Sequence, residues 1–358
     1  MSLSIGCLRQ YSAGMSVISR TMFVVFLLGS SAMAGSATQP AYTTDPGPVA
    51  IDVWRRLTLH DARRNKDLYL TVVTPRDGGP YPVILFSHGA GGSPGTYLNT
   101  LKLWASRGYV VIAPFHDDSL ALRRMREGNP PEGSPKVGLV EQLRQAIQTA
   151  VYDQKGWVNR VDDIELVLDS LKTFPDQFPD LHAKMNLSEI GMSGHSLGAQ
   201  TTVLVSGAVI DFSEQDTGHE YLDSRIKAAI LMSGQGRGHM GFRKGSWDKV
   251  RLPMMVMTGT RDNLSGENGP DWKMEPFQQC PPGEKFAVLV RDANHFSFCS
   301  NLSAGLGQQR NRQIISNIEL PTLVFWDAYL KDDPAAKAYL QSDALARSTD
   351  GGLQMWRR

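Results

Sequence analysis

The segment Ile190–Gly198, Ile-Gly-Met-Ser-Gly-His-Ser-Leu-Gly, constrains the fold more than any other part of the chain. Its second half has the form Gly-x-Ser-x-Gly, which is typical of a short strand that turns sharply into a helix. At such a turn Ser196 needs strained backbone angles, and Gly194 and Gly198 lack the Cβ atoms that would hold strand and helix apart. The run Leu197–Val205 consists mostly of small or apolar residues, which predicts a buried helix. We therefore predict a strand, a nucleophilic serine and a helix in succession.

Short apolar runs on both sides of this segment are typical of strands buried on both faces of a sheet. Before it come an alternating run, Leu68–Pro75, which predicts an antiparallel strand, and then Tyr81–Ser87 and Tyr109–Pro114. A predicted helix, Tyr97–Arg107, separates the last two, and the order strand, helix, strand predicts parallel pairing. After it come three further candidate strands and a closing helix: Ile226–Met232, Pro253–Met257, Phe286–Val290 and Thr322–Leu330.

We therefore assign the chain to the α/β class, with a mostly parallel, doubly wound sheet and helices on both of its faces. A basic stretch, a Gly- and Pro-rich loop and an amphipathic stretch interrupt this rhythm between residues 117 and 157. We expect 117–157 to form a cap insertion within a single domain of residues 35–358.

The first 34 residues have the form of a secretory signal peptide. Arg9 and Arg20 precede the apolar run Met22–Leu28, and a small-residue cleavage site ends at Ala34. A membrane anchor is the alternative, but a spanning helix needs about 20 apolar residues and this run is much shorter. We expect residues 1–34 to be removed and the protein to be secreted or periplasmic, with no stable membrane insertion afterwards.

The charge balance argues against nucleic acid as a partner. The formal net charge is +1, with 20% charged residues, and no block of like charges forms a basic patch. We expect neither a metal nor an organic cofactor, and the sequence does not indicate an oligomeric state.

A serine hydroxyl is a weak nucleophile, so Ser196 needs a base within hydrogen-bond reach and an acid to orient that base. In this arrangement both follow the serine, the acid first and the histidine second. His295 comes just after the last predicted strand, where a loop at the carboxyl edge of the sheet would project it toward Ser196. His219 lies in a polar stretch and His239 in a glycine-rich one, so both fit solvated surface positions better. We select His295 as the base.

Asp262 is the predicted acid. It follows the strand Pro253–Met257 through a short turn and lies between the serine and the histidine in the sequence. Glu267, Asp271 and Asp292 are alternatives, but acidic residues in loops are usually solvated turn residues.

The oxyanion that forms during acyl transfer needs donors that are already in place. The backbone N–H of Leu197, directly after the nucleophile, supplies one donor. The glycine-rich loop His88–Gly92 follows a buried strand, and there the N–H of Ala90 is best placed to supply the second. An ordinary glycine-rich turn is the alternative for this loop.

Four motifs carry a resemblance to a known superfamily: Phe86–Gly92, Gly108–Pro114, Ile190–Gly198 and Met257–Asp262. They resemble the α/β-hydrolase superfamily and, more closely, bacterial dienelactone-hydrolase-like proteins related to platelet-activating-factor acetylhydrolase. The resemblance extends over residues 68–298. It implies an α/β-hydrolase domain and the same residues as the positional argument, with a triad and an oxyanion hole made of Ser196, Asp262, His295, Ala90 and Leu197.

We therefore predict a serine hydrolase that cleaves carboxylic esters, with a small-molecule or lipid ester as substrate, through an acyl-enzyme intermediate. A serine peptidase is an alternative because it would use the same chemistry on the same fold. A non-catalytic binding protein that retains this fold is a second alternative.

Two cysteines remain after signal removal, Cys280 and Cys299. An even pair in an oxidising compartment favours a disulfide between them. Two unpaired buried thiols are the alternative.

Overall fold

The computed structural model describes residues 42–128, 138–174, 179–263, 269–301 and 308–358. These residues belong to one compact unit, Gln39–Arg358. The predicted signal segment, residues 1–34, lies outside the described residues. Within the described residues, no helix is both long and apolar enough to cross a membrane.

The strands are distributed along the whole described chain. They are β1 (Ile51–Asp61), β2 (Lys66–Pro75), β3 (Tyr81–Ser87), β4 (Val110–Pro114), β5 (Met185–His195), β6 (Val209–Ile210), β7 (His219–Glu220), β8 (Ile226–Met232), β9 (Met254–Arg261), β10 (Lys285–Asn294) and β11 (Leu353–Arg357).

The helices alternate with most of these strands. They are α1 (Leu98–Ser106), α2 (Leu120–Glu127), α3 (Leu139–Tyr152), α4 (Gln154–Ser170), α5 (Pro179–His182), α6 (Leu197–Val205), α7 (Pro270–Lys273), α8 (Glu275–Gln279), α9 (Gln308–Leu330), α10 (Pro334–Gln341) and α11 (Ala344–Ser348). Short 3-10 helices cover Pro94–Tyr97 and His295–Phe298.

A nine-stranded sheet, in the order β1-β2-β4-β3-β5-β8-β9-β10-β11, forms the centre of the described residues. The strands from β4 to β10 in that order pair in parallel. Strands β1 and β2 at one edge and β11 at the other pair antiparallel, and β6 pairs with β7 apart from the sheet. This topology confirms the predicted mostly parallel sheet, and the fold is that of an α/β-hydrolase.

Alternate residues of the central strands enter two hydrophobic cores, one on each face of the sheet. Along β3, Val83 and Leu85 belong to the core that α4 and α6 cover, whereas Ile84 and Phe86 belong to the core that α1 and α9 cover. Because side chains alternate across a strand, a strand covered on both faces needs apolar residues throughout. This requirement accounts for the continuous apolar runs in the sequence.

The edge strands β1 and β11 were not predicted. Both carry exposed residues, such as Arg55 and Arg56 in β1 and Gln354 in β11, so neither forms a continuous apolar run. Helix α9 begins at Gln308, well before the predicted start at Thr322. The prediction missed the first half of this helix because that half is apolar on one side only and forms no continuous apolar run.

The predicted cap, residues 117–157, corresponds to α2, α3 and the start of α4. Helix α2 begins after Ser119, whose side chain accepts a hydrogen bond from the N–H of Leu122. Part of the predicted insertion, 129–137, lies outside the described residues.

The predicted disulfide between Cys280 and Cys299 is wrong, because both residues are free, buried thiols. Cys280 packs in the core under α4 and α6, and Cys299 packs in the core on the opposite face. The sheet therefore separates the two sulfur atoms. Burial raises the pKa of each thiol to about 12, so both stay protonated near neutral pH.

Glu319 is a buried carboxyl on α9 that faces α1. Its Oε1 accepts a hydrogen bond of 2.8 Å from the Thr100 hydroxyl. Burial raises its pKa to about 7, and the hydrogen bond from Thr100 only partly opposes that rise. The folded protein therefore holds a proton at Glu319 that the unfolded chain releases near its ordinary pKa of 4.5.

We predict that this proton makes the fold less stable as the pH rises. As the pH rises from about 4.5 to 7, the folded state keeps a proton that the unfolded state releases. Glu319 therefore reduces the free energy of unfolding by up to about 3 kcal/mol relative to its value below about pH 4.5. Glu319→Gln stays neutral and can still bond to Thr100. Urea denaturation should show a stability advantage for the variant that grows across this window and is constant above it. A constant difference from pH 4 to 8 would contradict the assignment.

Candidate active site

Ser196 lies between the end of β5 and the start of α6 and has φ 56° and ψ −119°. Its N–H donates to the carbonyl of Met232 over 2.9 Å, which holds the turn in place. A Cβ on Gly194 would lie 2.2 Å from the carbonyl oxygen of Gly198, and one on Gly198 would lie 1.9 Å from that of Ser87. Only glycine fits at both positions, as the sequence motif indicates.

His295 begins the 3-10 helix after β10, and its side chain is almost completely buried. The Asn294 side chain caps this helix by accepting hydrogen bonds from the N–H groups of Phe296 and Ser297. Nδ1 of His295 lies 3.2 Å from Oδ1 of Asp262. We assign the proton to Nδ1, because a carboxylate can only accept a hydrogen bond. This leaves Nε2 as the basic nitrogen.

Asp262 is fully buried just after β9. Its Oδ2 accepts a hydrogen bond of 2.9 Å from the Thr258 hydroxyl, and Nζ of the buried Lys273 lies 3.7 Å from its Oδ1. Burial alone would raise the pKa of Asp262, but the hydrogen bond with His295 and the charge of Lys273 lower it well below its usual value. The carboxylate therefore stays ionised beside the imidazole.

Ser233 was not identified from the sequence, yet its Oγ lies only 2.7 Å from Nδ1 of His295. It follows β8 directly, is fully buried and has a positive φ of 50°. Its N–H donates to the carbonyl of Met257 over 2.7 Å, which ties this strained residue to β9. Its place at the carboxyl end of a buried strand is the signal that could have identified it.

His195 connects the loop after β3 to the loop of His295. Its Nε2 lies 2.9 Å from the carbonyl oxygen of His295, and its Nδ1 lies 2.8 Å from the Tyr97 hydroxyl. Tyr97 in turn accepts a hydrogen bond of 3.1 Å from the N–H of Gly89. Burial and the neighbouring His295 lower the pKa of His195 well below its usual value, so its ring is a neutral link.

The two predicted oxyanion donors, the N–H groups of Ala90 and Leu197, lie on the loop after β3 and at the start of α6. Neither donates a hydrogen bond to another atom of the described residues. Both are therefore available to an oxygen atom placed beside Ser196.

A cavity of about 230 Å³ brings together Ser196, His295 and Ala90. The rest of its lining is mainly apolar and includes Leu120 of α2 and Ile147 of α3. Ser196 is 9% exposed. The Ser196 hydroxyl forms no hydrogen bond with His295 in the part of the chain that the structure describes, and such bonds often tighten only when substrate is bound.

A larger, polar cavity of about 850 Å³ lies beside this one. The two cavities share Leu120 and Arg124, and Leu197 lines the larger one together with charged residues of α2 and α4. Neither Ser196 nor His295 lines the larger cavity. Its volume is therefore not evidence that the chemistry occurs there.

The other candidate residues lie elsewhere. His219 is paired with Asp216 over 2.6 Å at the surface, and Asp292 is paired with Arg261 over 2.8 Å. The His239 ring contacts Trp272, with the ring centroids 5.7 Å apart. Asp271 is exposed at the start of α7, and Glu267 lies outside the described residues.

A second Ser-His-Asp array is buried nearby. Oγ of Ser87 lies 2.9 Å from Nε2 of His116, and Nδ1 of His116 lies 2.9 Å from Oδ2 of Asp163. Ser87 is 0% exposed and its hydroxyl also accepts a hydrogen bond from Arg160 over 3.2 Å. Burial and the charge of Arg160 lower the pKa of His116 well below its usual value. No substrate can reach this serine, so the array is structural.

Comparison with known proteins shows the following similarities. The family model described as Chlorophyllase matches residues 45–127. A protein of Schizosaccharomyces pombe named "Putative phospholipase A2" is 28% identical over an alignment of 184 residues, and the match covers 44% of this chain and 41% of that protein. The aligned part of the chain thus spans about two fifths of the length of that relative. Together with the α/β-hydrolase fold, these similarities support a hydrolase of the lipase and esterase type.

Proposed function

We propose that the protein hydrolyses carboxylic esters through an acyl-enzyme, with Ser196 as nucleophile, His295 as base and Asp262 as the acid that orients the base. The observation that carries this proposal is the shared cavity. The strained Ser196 opens into the same cavity as His295, and His295 is bonded on its far side to the buried Asp262.

In the first half of the reaction, Nε2 of His295 accepts the hydroxyl proton while Oγ of Ser196 bonds to the ester carbonyl carbon. The carbonyl oxygen becomes an oxyanion, which accepts hydrogen bonds from the N–H groups of Ala90 and Leu197. The carbon–oxygen bond of the ester then breaks. His295 returns the proton to the departing alcohol, and the acyl group remains on Ser196.

In the second half, a water molecule gives a proton to His295 as its oxygen bonds to the acyl carbon. The bond to Oγ of Ser196 then breaks, and the proton returns to the serine as the carboxylic acid leaves. Asp262 stays ionised throughout and stabilises the imidazolium that forms in each half. Its lowered pKa suits this role, because a protonated Asp262 could not accept from Nδ1.

The mainly apolar lining of the catalytic cavity supports an ester with an apolar acyl group. Leu120, Leu143 and Ile147 contribute to this lining from α2 and α3, which supports a cap role for residues 117–157. The name of the Schizosaccharomyces pombe relative and the resemblance of four motifs to dienelactone-hydrolase-like proteins support a small-molecule or lipid ester as substrate.

We also propose that the protein acts outside the cytoplasm. Only the sequence of residues 1–34 supports this location, with Arg9 and Arg20 before an apolar run and a cleavage site at Ala34.

We predict that Ser196→Ala abolishes ester hydrolysis without changing the fold. The kcat for p-nitrophenyl esters should fall at least about 1,000-fold, because no other hydroxyl occupies the turn. The circular dichroism spectrum should be unchanged. A fluorophosphonate probe should label the wild-type protein on the peptide that contains Ser196, as determined by mass spectrometry.

The buried array provides a matched comparison within the same protein. Ser87 also has a histidine and an aspartate partner but should remain unlabelled, because it is fully buried. Labelling at Ser87, or a wild-type protein that neither reacts with the probe nor cleaves esters, would refute the proposal. Cleavage of aminoacyl anilides in preference to esters would instead favour a peptidase.

We predict that Ser233→Ala lowers kcat about fivefold and leaves KM nearly unchanged. The variant loses the contact to Nδ1 of His295, and a hydrogen bond of this kind contributes about 1 kcal/mol. Ser193→Ala is a matched control, because the Ser193 hydroxyl is also buried near the site but has no hydrogen-bond partner among the described residues. Equal effects of the two substitutions on kcat would show that Ser233 has no specific role.

A further inference from the structure

An ion pair between Asp118 and Arg160 lies against the loop that carries Ala90. Nε of Arg160 donates to Oδ1 of Asp118 over 3.0 Å, and Nη2 donates to Oδ2 over 2.8 Å. This is a bidentate contact, which fixes the two side chains relative to each other more firmly than a single hydrogen bond would. Asp118 precedes α2 and Arg160 lies within α4, so the pair connects two elements outside the loop.

The pair contacts the loop on both sides of Ala90. On the preceding side, Nη1 of Arg160 donates to the carbonyl oxygen of His88 over 2.6 Å. On the following side, the N–H of Gly91 donates to Oδ2 of Asp118 over 2.8 Å. One rigid unit therefore holds the backbone at His88 and at Gly91, on either side of the proposed oxyanion donor.

The neighbouring polar groups of the loop are also bonded. The N–H of Gly89 donates to Tyr97, the carbonyl of Gly89 accepts from the N–H of Gly92 over 2.9 Å, and the carbonyl of Gly91 accepts from the N–H of Leu120 over 3.2 Å. In contrast, the N–H of Ala90 donates to no atom of the described residues. The bonding pattern thus fixes the loop and leaves this one donor available.

The charges around the pair favour its ionised form. Arg160 is 2% exposed, and a guanidinium so deeply buried needs a paired charge. Burial would raise the pKa of Asp118, but Arg160 lowers it well below its usual value. Burial and the same guanidinium lower the pKa of His88 to about 4, so this neighbouring imidazole is neutral and does not repel Arg160.

We propose that Asp118 and Arg160 are positioning residues that set the direction of the Ala90 N–H, and through it the strength of the oxyanion hole. This inference rests on the proposed ester hydrolysis. A donor stabilises the oxyanion only if it lies within a narrow range of about 2.7 to 3.1 Å from the oxygen. A loop released on either side of Ala90 would lose that alignment without losing the nucleophile or the base.

The test measures kcat and KM for an oxygen ester and for the matching thionoester, in which sulfur replaces the carbonyl oxygen. Sulfur accepts hydrogen bonds weakly, so a working oxyanion hole favours the oxygen ester. In Arg160→Lys a single ammonium cannot reproduce the bidentate contact and the bond to His88. We expect kcat for the oxygen ester to fall about 10- to 100-fold with KM within about twofold. The preference for the oxygen ester over the thionoester should fall as well.

Asp118→Asn is the second variant, because Asp118 is partly exposed and the substitution keeps its shape. Its amide replaces one carboxylate oxygen by an NH2 group, which cannot accept from Arg160, so the bidentate contact is lost and the same changes should follow. Arg225→Lys is the matched control for a weakened arginine–aspartate contact. Arg225 pairs with Asp223 and with Asp169 on α4, and Asp169 is roughly 14 Å along the helix from Arg160. The preference of Arg225→Lys for the oxygen ester over the thionoester should stay at the wild-type value.

The outcomes separate the two proposals. If the wild-type protein cleaves neither ester and does not react with a fluorophosphonate, the ester hydrolase proposal fails and the positioning role fails with it. If the wild-type protein is active and both Asp118→Asn and Arg160→Lys keep its kcat, only the positioning role is overturned. The positioning role is also overturned if kcat falls in Asp118→Asn and Arg160→Lys but their preference for the oxygen ester over the thionoester equals that of the wild type and of Arg225→Lys. The ion pair would then serve stability alone.

Discussion

The close approach of β5 and α6 at Ser196 is the constraint on which the rest of the site depends. Gly198 lies so near the backbone of Ser87 that no side chain fits between the loop after β3 and the first turn of α6. This contact places the N–H of Leu197 beside the loop that carries Ala90. At the same turn Ser196 has a positive φ, a conformation that costs of order 1–3 kcal/mol and persists because surrounding contacts hold it. The strained backbone of Ser196 and the N–H of Leu197 thus belong to one turn.

The protein contains the Ser-His-Asp arrangement twice within the described residues, and access distinguishes the two copies. The hydrogen bonds of Ser87, His116 and Asp163 are as short as those of an active triad. However, that serine is sealed in the core and its hydroxyl is already engaged by Arg160. Triad geometry is therefore not sufficient evidence of catalysis. The case for Ser196 rests on its turn, its cavity and the unbonded N–H groups beside it.

Three buried histidines surround the site as neutral linkers. Burial is the main cause that lowers the pKa of His88, His116 and His195. A neutral imidazole can donate from one nitrogen and accept at the other, so each ring joins two backbone or side-chain groups. This property connects the loop after β3 to β5, to α4 and to the loop of His295. The loops that carry Ala90 and His295 are consequently tied to each other as well as to the sheet.

The sequence by itself determined the parallel sheet and the position of Ser196, because strand burial and the glycines of a sharp turn produce local patterns. His295 and Asp262 were selected by their order in the chain and by their places after buried strands, and the structure brings them together. The positions of Ser233, Asp118 and Arg160 beside the candidate site were decided only by the tertiary structure. Their contacts join residues 62, 42 and 72 positions apart, so no local pattern records them. The same applies to Cys280 and Cys299: their even number suggested a disulfide, but the sheet keeps them on opposite faces.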